Sequence, residues 1–305
     1  MTGYILKRLG WMLLTLWVVF TLSFFLMRAV PGGPFDGERA LEPEIEANIK
    51  QRYHLDKPLP EQYARELFNV LRLDLGYSYK LGDFTVNQII AQGFPISASL
   101  GIVALMFALT LGLTAGVISA VRRQTLLDFS LRVVATVGIA LPSFVIAGIA
   151  IILFVFLVPL FPAGGWGTLH HLILPGLCLG APYAAYVSRL TRTGMLDVLG
   201  QDYIRTARAK GLSTPAVIFR HALKGALLPV VSYLGPAVAG ILTGSLVIER
   251  VFAIPGLGIH FINAATQRDY TLAMGLVLLY TLLLCSMNLL VDISYRFLDP
   301  RVKLE

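Results

Sequence analysis

The chain has 305 residues, 56% of them apolar and 14% charged, with a mean hydropathy of +0.72. A soluble domain carries about a quarter charged residues, so a soluble enzyme, a disordered chain and a disulfide-built secreted domain are all excluded. The net charge of +7 does not point to nucleic acid. Its basic residues lie between long apolar runs, the arrangement that orients membrane helices.

A bilayer crossing takes ~20 mostly apolar residues, because each backbone polar group must be paired within the segment. Six runs meet that need and predict an all-α integral membrane protein: Leu9–Met27 (the span is drawn to residue 29), Ser97–Val121, Val133–Leu160, Leu172–Ser188, Gly225–Ile248 and Thr271–Val291. None contains Asp, Glu, Lys or Arg. Lys7 and Arg8 precede the first run as they would in a signal peptide, but Arg28-Ala29-Val30-Pro31 is a poor cleavage site. Placing residues 1–8 in the cytoplasm puts most basic residues inside, in segments 122–132, 189–224 and 292–305. The outer segments are then 30–96, 161–171 and 249–270.

In chain order, the outer segment comes first. Pro43 begins a short amphipathic pattern through Ile45, Ile49 and Tyr53, and Tyr63, Leu67 and Leu71 form a second. Two such helices cap a pore mouth or meet an external partner; the alternative is a spacer packed on the spans. Within the spans, Pro142, Pro175, Pro182 and Pro236 interrupt the backbone ladder, and Gly138, Gly148, Gly180, Gly235, Gly240 and Gly244 permit close approach. Ser143, Ser232, Thr243, Ser245 and Asn288 are the polar candidates for lining a path through such a bundle. Cys178 and Cys285 fall inside apolar runs and are read as packing residues.

No catalytic residue is assigned. Charge-free spans argue against an ion-driven carrier, and a glycine-rich phosphate loop ending in Gly-Lys-Ser/Thr is absent from the sequence. Ser245 follows Gly244, but that span holds no histidine for a serine–histidine pair. His170 and His171 are adjacent, and neighbouring residues of a helix point apart, so no metal site is assigned.

The inner segment 189–224 is the most informative. Asp202 is placed to cap a helix over Gln201–Lys210 that Gly211 ends, and Thr214-Pro215 starts a second helix running toward Leu223. Ile204, Ala207 and Gly211 share one face, narrow enough for another protein's groove. Arg205, Arg208 and Lys210 flank it with donors for a partner's carboxylates. The alternative is a solvated basic loop that serves orientation alone.

Arg205-Thr206-Ala207-Arg208-Ala209-Lys210-Gly211-Leu212, followed by Arg220-His221-Ala222-Leu223, resembles the inner-loop signature of peptide-type ABC importer permeases. Ala207, Gly211 and Leu223 stand at matching offsets. Arg205, Thr206, His221 and Lys224 replace the wider class's Glu, Ala, Ile and Pro, as is typical of the peptide branch. Leu6-Lys-Arg8, residues 28–34, Asp74-Leu-Gly76, Leu141-Pro-Ser-Phe144, Ile248-Glu-Arg-Val-Phe252, Pro255-Gly-Leu-Gly258, Arg268-Asp-Tyr270 and Leu298-Asp-Pro-Arg301 look like the same family. Phe35-Asp-Gly-Glu-Arg39 and Tyr53-His-Leu55 look more narrowly like the B subunits of its oligopeptide branch.

The resemblance implies a six-helix, type I ABC importer (MetI-like) permease fold in the bacterial cytoplasmic membrane, with both termini cytoplasmic. It implies a non-enzymatic subunit that binds no cofactor, with ATP and Mg held by two cytoplasmic ATPase subunits. Its other implied partners are a homologous second permease (the C subunit), an extracytoplasmic peptide-binding protein, the peptide and the bilayer. The helix around Ala207–Gly211 would be the coupling helix in an ATPase groove. Dipeptide, nickel and glutathione permeases are the alternatives within the family, and a non-transporting membrane assembly protein is the alternative outside it.

Overall fold

The computed structural model describes residues 2–30, 33, 35, 48, 51, 53–242 and 246–298. Helix α1 (Thr2–Ala29) is followed by the amphipathic α2 (Leu59–Leu71). Tyr63 and Leu67 of α2 pack on the buried Phe20 and Phe24 of α1, whereas Leu71 is exposed. An Arg28–Glu66 ion pair fixes the same contact. The second amphipathic stretch therefore forms a helix, and it is docked on α1. The first, from Pro43 through Ile45 and Ile49, lies outside the described residues apart from Tyr53.

Helix α3 (Val86–Val121) opens with a reciprocal capping box, Gln88 N donating to Thr85 Oγ1 and Thr85 N to Gln88 Oε1. The third apolar run is not one straight span. It is α4 (Leu126–Ala140) and α5 (Ser143–Ile151), bent by 109° and continued by a π-helical turn over Ile152–Leu157. Pro142 forces the break, since it lacks an amide donor and holds Leu141 in an extended conformation.

Helix α6 (His170–Leu199) runs without interruption past the point where the fourth span was expected to end. It is the interior helix of the bundle and packs most extensively against α3. The contact is made by small residues: a Cβ on Gly180 would lie 2.5 Å from Ala104 O, and one on Gly112 would lie 2.7 Å from Ala184 O. The two backbones meet so closely that a side chain at either position has nowhere to go. Because much of it is buried against other helices, α6 needs less hydropathy than its neighbours and tolerates Pro175 and Pro182.

Beyond Gly200 come α7 (Asp202–Ala209), α8 (Thr214–Ala216), a π-helical turn over Val217–Ala222 and α9 (Leu223–Ala226). Then follow α10 (Leu228–Leu242), α11 (Leu246–Val251), α12 (Leu257–Thr266) and α13 (Tyr270–Leu298). Arg8 Nη2 lies 2.9 Å from Asp292 Oδ2, so the start of α1 and the far part of α13 share one end of the bundle, which we term the base. The opposite end is the crown.

Among the described residues, four helices are long and apolar enough to cross a membrane: Gly3–Ala29, Val86–Val121, Leu228–Val251 and Tyr270–Ser294. The bent α4–α5 pair makes up to five. The molecule is thus an all-α, multi-pass membrane protein; α6 is the expected crossing that falls outside this set. Glu249 and Arg250 lie in the last turn of the Leu228–Val251 candidate span, which runs past the expected end at Ile248.

Candidate functional site: a central cavity and a basic surface helix

A cavity of about 560 Å³ lies at the proline break, between the α4–α5 bend, α6, α10 and α11. Ser143, Tyr183, Tyr186 and Tyr233 bring its polar groups, set among Leu141, Pro182, Gly240 and Val247. The Tyr186 and Tyr233 rings stack at 5.5 Å. Tyr183 is 13 residues into the 30-residue α6, about 20 Å from its start at 1.5 Å per residue, so the cavity sits near mid-depth.

Of the three described residues among the five proposed for a path, Ser143 alone lines this cavity. Ser232 is exposed on α10, and its Oγ donates to Leu228 O. Asn288 faces a different pocket, with Arg8, Trp11 and Asp292 at the base. Thr243 and Ser245 lie outside the described residues. The three tyrosines were missed by the sequence reading, although the Tyr183/Tyr186 spacing within an apolar span was a usable signal.

The basic helix forms at the base, with one correction to its face. Ile204 and Ala207 are turned inward, 0% and 5% exposed, into a cluster with Ala120, Met195, Val217, Ala222 and Ala226. They anchor α7 to its own chain and are closed to a partner's groove. The exposed face carries Asp202, Tyr203, Arg205, Thr206, Arg208, Ala209 and Lys210. Gln201 takes the N-cap position, while Asp202 is the first helical residue and pairs with Arg205 at 3.3 Å. Gly211 ends the helix at φ +78, and Leu212 N closes the turn by donating to Ala207 O. Leu212 is exposed beside it. The second helix also starts one residue early, with Ser213 as N-cap and Pro215 in its first turn.

Three buried carboxylates hold the ends of the helices in place, and all lie just outside the predicted spans. At the base, Asp128 accepts from Ser119 Oγ at 2.6 Å, Gln124 N at 3.0 Å, and Arg192 Nε and Nη2 at 2.9 and 3.1 Å. At the crown, Glu249 accepts from Ser97 Oγ at 2.7 Å and Gly258 N at 2.7 Å, tying α11 to α3 and to the first turn of α12. Asp269 caps α13 through Leu272 N and gathers Tyr79 N, Lys80 N and Ser78 Oγ. Burial pushes the Glu66 carboxyl above its ordinary range against the opposing pull of Arg28. The motifs Ile248–Phe252, Pro255–Gly258 and Arg268–Tyr270 are therefore joints between elements. Their signals were present in the sequence: Thr125-x-x-Asp128 is a helix start, and Asp269 stands directly before a helix.

A multi-pass bundle with a cavity at a helix break and an exposed basic helix at one end has the features of a membrane transport component. A chain of the methionine ABC transporter MetNI, solved in inward-facing conformations, has this fold, with a TM-score of 0.56 and 19% identity over 69% of this chain and 96% of its own. Residues 112–304 match the family described as binding-protein-dependent transport system inner membrane component. The oligopeptide transport system permease protein OppB of Haemophilus influenzae is 46% identical over 99% of this chain and 100% of its own. OppB of Escherichia coli K12 is 44% identical over the same shares. The dipeptide transport system permease protein DppB of Bacillus subtilis is 44% identical over 100% of this chain and 99% of its own. The chain belongs to that family of inner-membrane transport components.

Proposed function

We propose that this chain is the B-type permease subunit of an ATP-driven ABC importer that carries oligopeptides across the bacterial cytoplasmic membrane. What carries the reading is the end-to-end similarity to oligopeptide permeases, 44–46% identical with no large unmatched segment on either side. The subunit is a conduit and not an enzyme. Hydrolysis belongs to two cytoplasmic ATPases, a homologous second permease completes the pore, and a peptide-binding protein supplies the cargo.

Six crossings with both termini cytoplasmic fit the chain best. The Arg8–Asp292 pair supports an even number, because it holds the start of α1 and the far part of α13 at the same end. In this reading the tyrosine cavity is one wall of the peptide path. Phenolic hydroxyls both donate and accept, so they can satisfy a peptide backbone without selecting its side chains. The exposed face of α7, with Arg205, Thr206, Arg208, Lys210 and Leu212, meets an ATPase subunit. Its buried Ile204 and Ala207 pass the push into α3, α6 and α9. Nucleotide shifts the inward–outward equilibrium only through unequal affinity for the two states.

A dipeptide permease is the second reading, favoured by the equal 44% identity to the Bacillus subtilis dipeptide permease. Co-purification with the second permease and two ATPases, followed by uptake of labelled di-, tri- and pentapeptides into vesicles, separates the two. ATP-dependent uptake of tri- and pentapeptides is expected. Uptake confined to dipeptides would replace the oligopeptide reading. Uptake that ionophores abolish and ATP depletion leaves unchanged would remove both.

A further inference from the structure

The base of the bundle carries a pocket that neither the path nor the coupling helix uses. It has about 220 Å³ between α3, α4 and α6, and Arg132, Arg189 and Arg192 line it with Ser188 and Thr136. Asp128 behind it is 1% exposed and bonded to Arg192 and Arg132, so it offsets one of the three charges. Arg189 is exposed and has no ion pair among the described residues. The pocket thus holds an excess of about two positive charges.

A second, apolar groove of about 230 Å³ shares Ala135 and Ser188 with this pocket and continues it along the same three helices. Leu111, Val134 and Leu177 are among its lining, and Leu111 and Val134 are exposed. Along α6 it follows twelve residues from Leu177 to Ser188, about 16 Å at a rise of 1.5 Å per residue. That is about half of the ~30 Å hydrocarbon thickness, or the depth of one leaflet.

We propose that this pocket and groove form a binding site for an anionic phospholipid, with the phosphodiester among Arg132, Arg189 and Arg192 and one acyl chain in the groove toward Leu177. Charge complementarity selects the headgroup. Arginine's planar fork suits phosphate oxygens, and a basic pocket between membrane helices is a recurring lipid-headgroup site. The groove's length and apolar lining select a lipid over a free phosphate ion, which would leave it empty. A lipid seated there would brace α4, the helix before the proline break, against α6. The site does not depend on which solute the permease carries.

The test uses the complete transporter, stripped of lipid in detergent and exposed to phosphatidylglycerol or phosphatidylcholine vesicles, with retained lipid counted by native mass spectrometry. Retention of phosphatidylglycerol, and not of phosphatidylcholine, is expected. Arg189→Gln should weaken it about fivefold, as for loss of one basic residue near a lipid surface. Ala115→Leu, which fills the groove and keeps every charge, should weaken it comparably. Inorganic phosphate in excess should not displace the lipid. Equal retention in wild type and both variants would overturn the proposal, as would displacement by phosphate. Cross-linking of a Val134→Cys variant to the second permease, placing protein over the groove, would overturn it too.

Discussion

Replacing Asp128 by Asn removes one charge and leaves the shape. The carboxylate is 1% exposed and accepts four hydrogen bonds, two of them from Arg192. An amide keeps one acceptor oxygen, and its NH₂ group stands either at the Oδ2 position, facing both Gln124 N and Arg192 Nη2, or at the Oδ1 position, facing Arg192 Nε, donor against donor in both cases. A hydrogen bond to a charged group contributes about 1.5–3 kcal/mol, and breaking a buried pair costs about 3–5 kcal/mol. Arg192 stays 24% exposed, so water recovers part of its solvation. The expected loss is about 2–4 kcal/mol, lowering the thermal midpoint of the purified subunit by about 4–8 °C. The discriminating assay is a double-mutant cycle with Arg192→Gln. Removing both partners should cost less than the sum of the single losses by about 1–3 kcal/mol. Losses that add to within about 0.5 kcal/mol would show that the two groups do not act as a pair.

Gly211→Val should lower peptide uptake per ATP hydrolysed severalfold, because the φ of +78 costs a side chain about 1–2 kcal/mol, and more for a β-branched one. Gly211→Asn should keep most coupling, since Asn tolerates this region; equal coupling in the valine variant would refute the role of the turn. Gly180→Val should destabilise the subunit by about 3 kcal/mol, because its Cβ would lie 2.5 Å from Ala104 O. Gly148→Ala, with no atom within 4 Å, should be near neutral and serves as the control. Burial holds the His260 imidazole below its ordinary 6.5. A lowered histidine pKa means that the unfolded segment binds the proton more readily, so stability is present above about pH 6.5 and lost as pH falls. The protection factors of α12 amides, corrected for the intrinsic slowing of exchange in acid, should fall on acidification, and His260→Gln should remove that fall.

The cavity was only partly legible in the sequence. Ser143 was one of five polar candidates and lines the cavity, but Tyr183, Tyr186 and Tyr233 come from two helices, α6 and α10, more than 40 residues apart in the chain at their widest. Asn288 was a fair candidate by polarity and proved to face the base, because the rotation of α13 is set by its packing on α1 and α10. In α7 the helix and its glycine stop were readable from local rules. Which face pointed outward was not, since Ile204 and Ala207 fit a partner's groove and this chain's own core equally well by composition.

By itself the sequence determined the medium and the local elements: apolar runs long enough for a bilayer, the proline break, the helix starts to within one residue and the left-handed turn at Gly211. Each depends on residues a few positions apart, or on total hydropathy. Only the tertiary structure decided which groups converge. Asp128 finds Arg192 across 64 positions and Ser97 finds Glu249 across 152. Helix rotation and close backbone contact between distant glycines and alanines bring those pairs together, and no local pattern specifies either.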